Sequence, residues 1–137
     1  MKRVLFVCTH NSARSQMAEA LLKSAAGTRF EACSAGTEAG ELHPLAVQVM
    51  RELDMDISDQ RAKTVDLYNG ERFDYVITVC DEAREACPLL DGGKQLHWSL
   101  SDPSRAGGTM EQKIAAFRNA RDELSALVAD FLAGAEQ

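Results

Sequence analysis

Val4-Leu5-Phe6-Val7-Cys8-Thr9-His10-Asn11-Ser12-Ala13-Arg14-Ser15 is the stretch that decides how this chain folds. Its first four residues form an unbroken apolar run, the mark of a strand buried on both faces. Asn11 to Ser15 then offer capping side chains to a helix carrying Met17, Ala18, Leu21, Leu22 and Ala25 at helical spacing. A loop joining a buried strand to a helix can wrap its backbone N–H groups around an anion, and the helix N-terminus adds about half a positive charge. Arg14 can grip two oxygens of a tetrahedral oxyanion at once, which lysine cannot do. The same positive field favours a thiolate at Cys8 beneath the bound anion. Ser12 and Ser15 can donate hydroxyl hydrogen bonds to that sulfur or to the loop. The arrangement suits attack by sulfur on phosphorus or arsenic. A bare Cys-x5-Arg spacing recurs by chance, and its place between a buried strand and a helix is what gives it meaning.

Working outward, Phe30-Glu31-Ala32-Cys33 reads as a second short strand ended by Ser34-Ala35-Gly36. Pro44 opens a second helix with Leu45, Val47, Val49, Met50 and Leu53 as its buried candidates. Tyr75 to Val79 is the strongest strand by propensity. A short acidic segment from Asp81 to Ala86 follows, stopped by Pro88. Gln95 to Trp98 is a weaker strand and Ser99 to Thr109 a loop. The last helix, about Met110 to Leu132, sets Ile114, Phe117, Leu124, Leu127, Val128 and Phe131 along one stripe. Strands alternating with helices predict an α/β fold, a single-domain open parallel four-stranded sheet with helices on both faces, spanning residues 1–137. Such sheets bind ligands at the carboxyl ends of their strands. Cys8 follows the first strand, Cys80 the third and Asp102 the fourth, so three reactive side chains converge on that edge.

The 137 residues fit one domain, without repeats, low-complexity tracts or a Pro/Gly-rich linker. A hydrophobic share of 45% argues against disorder. The net charge of −6 makes nucleic acid and anionic membrane poor partners, since both call for a basic footprint. A small anion is still accessible to a local cationic pocket, because charges are screened over about 8 Å at physiological salt. The apolar run after Met1-Lys2-Arg3 is too short for a signal peptide or a membrane span. The expected compartment is therefore the cytoplasm, where the four cysteines serve packing, metal or redox roles better than structural disulfides. Small size and a polar surface predict a monomer. His43 and His97 lack a second ligand at metal-binding spacing and read as structural or surface residues, so no metal is expected.

Taken together, Cys8-Thr9-x-Asn11-Ser12-x-Arg14-Ser15-Gln16-Met17-Ala18-Glu19, Ser34-Ala35-Gly36 and Asp102-Pro103 resemble the low-molecular-weight tyrosine phosphatase fold, and more closely its thioredoxin-coupled arsenate reductase branch. The similarity runs from about Lys2 to the final helix. It implies that Cys8 is the nucleophile, that Arg14 and the loop Thr9, His10, Asn11, Ser12, Ala13 and Ser15 bind oxyanion, and that Asp102 is the general acid. Fold alone leaves the reaction open. Cys80 and Cys87, in Val79-Cys80-Asp81-Glu82-Ala83-Arg84-Glu85-Ala86-Cys87-Pro88, match the reductase branch's redox pair. His97-Trp98 followed by Asp102-Pro103 also looks like the reductase pattern, whereas the phosphatases carry aromatic residues where this chain has Ser104-Arg105.

The resemblance implies reduction of arsenate to arsenite by a relay of Cys8, Cys80 and Cys87. No cofactor is tightly bound, and the electrons come from reduced thioredoxin. The alternatives are a protein tyrosine or small-molecule phosphatase, and a non-enzymatic module that captures arsenite with three cysteines. Were residues 80–87 helical, the two cysteine Cα atoms would stand about 10 Å apart. A disulfide needs about 4.4–6.8 Å, so Asp81 to Ala86 is expected to unwind on oxidation. Cys33 matches no redox position and is expected to be core.

Three departures from the family pattern stand out. The loop position that is usually glycine is His10, which carries a cost if its φ is positive. Ala13 replaces a cysteine common in relatives. Some members hold potassium beside the loop through residues matching Asn11, Glu19 and Ser34 plus an acidic residue. Here that acidic position is Lys63, whose ammonium could take the cation's place beside Glu19.

Overall fold

The computed structural model describes residues 2–38, 40–68, 70–79 and 93–135. Four parallel strands, β1 (Lys2–Cys8), β2 (Phe30–Gly36), β3 (Tyr75–Thr78) and β4 (Lys94–His97), form one sheet in the order β2-β1-β3-β4. Helix α1 (Arg14–Ala26) follows β1, α2 (Pro44–Arg51) follows β2, and α3 (Met110–Ala135) closes the chain. Short 3₁₀ turns lie at Gly27–Arg29, Val65–Tyr68 and Pro103–Arg105.

The apolar run in β1 is buried on both sides because β1 is an inner strand and both faces are covered. Val4, Leu5, Phe6 and Val7 are all without solvent exposure. On the face shared by Val4 and Phe6, Phe30 and Tyr75 pack on Phe131 of α3, and Ser34 hydrogen bonds Glu19 of α1. The opposite face is covered by the 3₁₀ turn Val65–Tyr68 and its flanks, with the Arg3 guanidinium 4.4 Å from the Phe73 ring centre. The expected open parallel sheet with helical elements on both faces is the architecture that forms. No helix among the described residues is long and apolar enough to cross a membrane.

Helix α2 is fastened to α3 by an ionic cluster. Arg121 donates to the Val49 carbonyl and, with Arg118, to the Glu52 carboxylate. Those hydrogen bonds hold the Glu52 carboxyl down at about 2. At its other end α2 is capped by His43, whose Nδ1 accepts from Leu45 N–H and whose ring stacks on Phe117 at 4.6 Å.

Several sequence expectations shift. Strand β2 does not stop at Cys33 but runs on to Gly36, pairing Cys8 with Gly36. Small residues there signal close packing rather than a turn: a Cβ on Gly36 would lie 2.7 Å from the Thr9 carbonyl oxygen and 2.8 Å from Asn11 N. Helix α1 begins after Ala13, which offers no side-chain cap, so Asn11 to Ser15 do not cap it. Helix α2 ends at Arg51, and Leu53 is exposed where Asp54 turns the chain with φ 59°. Cys33 is half-buried rather than fully enclosed, on the face opposite Cys8, and burial pushes its thiol up. Cys80, Cys87 and the Asp81 to Ala86 segment lie outside the described residues.

Candidate active site

The loop between β1 and α1 is shaped by carbonyls turned outward. Cys8 O accepts from Thr37 N–H at 3.0 Å, Thr9 O from Glu38 N–H at 2.9 Å, and Ser12 O from His43 N–H at 2.8 Å. In a planar trans peptide the next residue's N–H points the opposite way. The amides of Thr9, His10 and Ala13 thereby point away from Thr37, Glu38 and His43. The first-turn amides of α1 add to this set, since a helix has no internal acceptors for them. The lack of a capping side chain, which sequence reasoning got wrong, leaves those donors to a ligand.

The Cys8 sulfur is buried and hydrogen bonded to two groups. Asn11 N–H donates at 3.2 Å, and Ser15 Oγ lies at 2.8 Å. Asn11 Nδ2 donates to that same Ser15 oxygen at 2.7 Å.

Asn11 is the hinge of the loop. Its φ is 53°, a left-handed conformation that asparagine tolerates better than most residues. The positive φ of the loop falls here and not at His10, so the histidine carries no backbone cost of that kind. His10 sits at the surface with Nε2 3.1 Å from Glu38. The Asn11 side chain is locked from behind: Oδ1 accepts from Gln16 Nε2 at 3.0 Å and from Lys63 N–H at 2.9 Å. Gln16, fully buried, also donates to Asn11 O and Arg61 O and accepts from Gln60 Nε2 at 2.6 Å. Sequence reasoning assigned no role to Gln16 or Gln60. The two are 44 residues apart, and no spacing rule links them.

Arg14 and Asp102 meet across the site. The Arg14 guanidinium is buried, donates to Leu100 O at 2.9 Å and has Nη2 3.6 Å from Asp102 Oδ2. One donor is thus spent on fixing the fork, and the others remain for an anion. Burial pushes the Asp102 carboxyl up, but hydrogen bonds from Ser104 and the charges of Arg14 and Arg105 outweigh it, so the net direction is down. Val79, the last described residue before Cys80, donates its N–H to Val7 O at 2.9 Å.

Glu19, Ser34, Asn11 and Lys63 do gather behind the loop. Glu19 Oε1 accepts from Ser34 Oγ at 2.7 Å and lies 3.9 Å from Lys63 Nζ, and Oε2 takes Lys23 Nζ at 2.9 Å. Lys63 Nζ also donates to Arg61 O at 2.9 Å. Burial pushes the Lys63 ammonium down, while Glu19 opposes that. This set does not fit a potassium ion. Asn11 Oδ1 is already occupied by two donors, and the carboxylate is served by two ammonium groups.

Comparison with known proteins places this geometry. The family model described as low molecular weight phosphotyrosine protein phosphatase matches residues 3–137. An arsenate reductase of Halalkalibacterium halodurans is 41% identical over 95% of this chain and 94% of its own length. A solved arsenate reductase in a phosphate-binding state superposes with a TM-score of 0.80 at 30% identity, covering 98% of both chains. The thioredoxin-dependent arsenate reductase of Corynebacterium glutamicum superposes with a TM-score of 0.63 at 34% identity, covering 94% of this chain and 62% of that one.

Proposed function

The chain belongs to the low-molecular-weight phosphotyrosine protein phosphatase family, and from that premise we propose that it reduces arsenate to arsenite through a three-cysteine relay recharged by thioredoxin. The observation that carries the reading is the buried Cys8 sulfur, hydrogen bonded to Asn11 N–H and Ser15 Oγ at the start of the loop that ends in the buried Arg14 guanidinium. Relatives named arsenate reductase match over almost the whole chain, and the Cys80/Cys87 pair supplies thiols that a phosphatase does not need.

The steps balance as follows. The Cys8 thiolate attacks arsenic, an S–As bond forms, and one As–O bond breaks as Asp102 protonates the leaving oxygen to water. Cys80 then attacks the Cys8 sulfur; the S–As electron pair stays on arsenic, which leaves as arsenite, reduced by two electrons. Cys87 attacks Cys80, expelling the Cys8 thiolate and leaving a Cys80–Cys87 disulfide for the thioredoxin dithiol to reduce. The protein works as a cytoplasmic monomer without a bound cofactor. The shared loop also confers weak hydrolysis of phosphate esters.

Cys87→Ser tests the relay against its rivals. The variant should release one equivalent of arsenite per protein and then stall in a coupled assay with arsenate, thioredoxin, thioredoxin reductase and NADPH. Full multiple turnover would refute the relay, and a protein that holds arsenite without releasing it would be a binder.

Lys63 makes potassium dispensable in this reading. Exchanging sodium for potassium at constant ionic strength should leave melting temperature and turnover unchanged. A rise in either with potassium would show that a cation is required after all.

A further inference from the structure

Asp102 stands at the entrance of the 3₁₀ turn Pro103–Arg105. Pro103 has no N–H, so the first amide available to the Asp102 carboxylate is that of Ser104. Ser104 supplies two donors to one oxygen: its N–H lies 2.9 Å and its Oγ 2.6 Å from Asp102 Oδ1. The other oxygen, Oδ2, faces Arg14 Nη2 at 3.6 Å and Arg105 Nε at 3.7 Å, both beyond hydrogen-bond reach. The two carboxylate oxygens are thus unequal: Oδ1 is occupied and Oδ2 is turned toward the oxyanion-gripping arginine.

We propose that Ser104 is a positioning residue that selects Oδ2 as the proton-bearing oxygen of Asp102 and sets the upper pH limit of the acid-assisted step. The inference rests on the reading of Asp102 as general acid. With Oδ1 held on two sides, the carboxyl plane is fixed, and the proton sits on the oxygen that faces Arg14. The same two hydrogen bonds favour the ionised carboxylate, so they make Asp102 a stronger acid that is protonated over a narrower pH range. The charged groups around it are Arg14 of α1, Arg105 of its own turn, and His43 at the start of α2. Arg105 also lines a cleft of about 490 Å³ beside Asp102 with Glu123 of α3, while Lys113 of α3 and His43 line a second cleft against Pro103 and Ser104. Arg14 and Arg105 lower the carboxyl, as Ser104 does, against the effect of burial.

Ser104 is exposed, so its replacement does not disturb the core.

The test is the pH dependence of kcat/KM for arsenate in wild type, Ser104→Ala, Ser104→Thr and Asp102→Asn. Loss of the hydroxyl raises the Asp102 carboxyl, so the alkaline limb of Ser104→Ala should move upward by about 0.5–1 pH unit, the worth of one hydrogen bond. Its plateau should fall roughly tenfold as Oδ2 loses alignment. Ser104→Thr restores both, and Ser104→Ala has no further effect in the Asp102→Asn background. A purely structural role would lower the rate at every pH and leave the limb in place, which overturns the inference. Should Asp102→Asn itself keep the wild-type rate and limb, the general-acid reading fails, and that outcome is distinct from an unmoved limb in Ser104→Ala alone.

Discussion

Replacing Cys8 by serine is expected to reduce arsenite production by about 10⁴-fold or more, the scale seen when a nucleophile is removed from a covalent mechanism. The hydroxyl is close to isosteric and leaves the Asn11 and Ser15 donors in place, so the loop keeps its shape. A neutral alcohol is a poor nucleophile at pH 7 and cannot enter a disulfide. Binding and chemistry should therefore separate. Phosphate or arsenate should still raise the melting temperature of Cys8→Ser, while arsenite release and the arsenate-dependent loss of free thiols vanish. Retention of more than roughly one part in 10² of the wild-type rate would move the nucleophile elsewhere and dissolve the relay.

Arg14→Lys is expected to lower kcat/KM for arsenate by about 10²–10³-fold, or about 3–4 kcal/mol, comparable with loss of one preorganised oxyanion donor. Charge is conserved in this substitution, so the loss measures geometry. A lysine ammonium cannot hold Leu100 O and two anion oxygens at once, because it has three rotating donors in place of a rigid fork. Arg14 also joins the Leu100 and Asp102 loop to α1. The variant should therefore raise KM and lower kcat together. An unchanged kcat with only KM altered would reduce Arg14 to a ground-state binder.

How much of this was legible in the sequence depended on the range of the interaction. The buried strand β1 followed by α1 could be read from Val4 to Ser15, because an apolar run and a helical period are local signals. The convergence of Cys8 and Asp102 on one edge followed from the parallel topology and needed no knowledge of contacts. The left-handed turn at Asn11 was not legible, because the substitution of His10 for a glycine drew attention to the neighbouring position. Gln16 and Gln60 could not be read at all. Their meeting beneath Asn11 depends on the path of residues 57–63 past β2, which no periodicity encodes. Ser34-Ala35-Gly36 was read as ending the second strand for a related reason: small residues look alike whether they end a strand or make room for a neighbouring loop.

The outward carbonyls of Cys8, Thr9 and Ser12 have a consequence for selectivity. They are tied to residues 37–43, so the cradle is assembled on folding and is not moulded by its guest. A preformed cradle measures a tetrahedron with oxygen corners, and phosphate is nearly the same tetrahedron. Shape therefore cannot turn phosphate away, and a cell holds phosphate in abundance. Discrimination has to fall after capture, where arsenic accepts an electron pair from sulfur and phosphorus does not. On the proposed relay, phosphate would occupy the cradle without being reduced, so the two oxyanions would compete for one site and only arsenate would turn over.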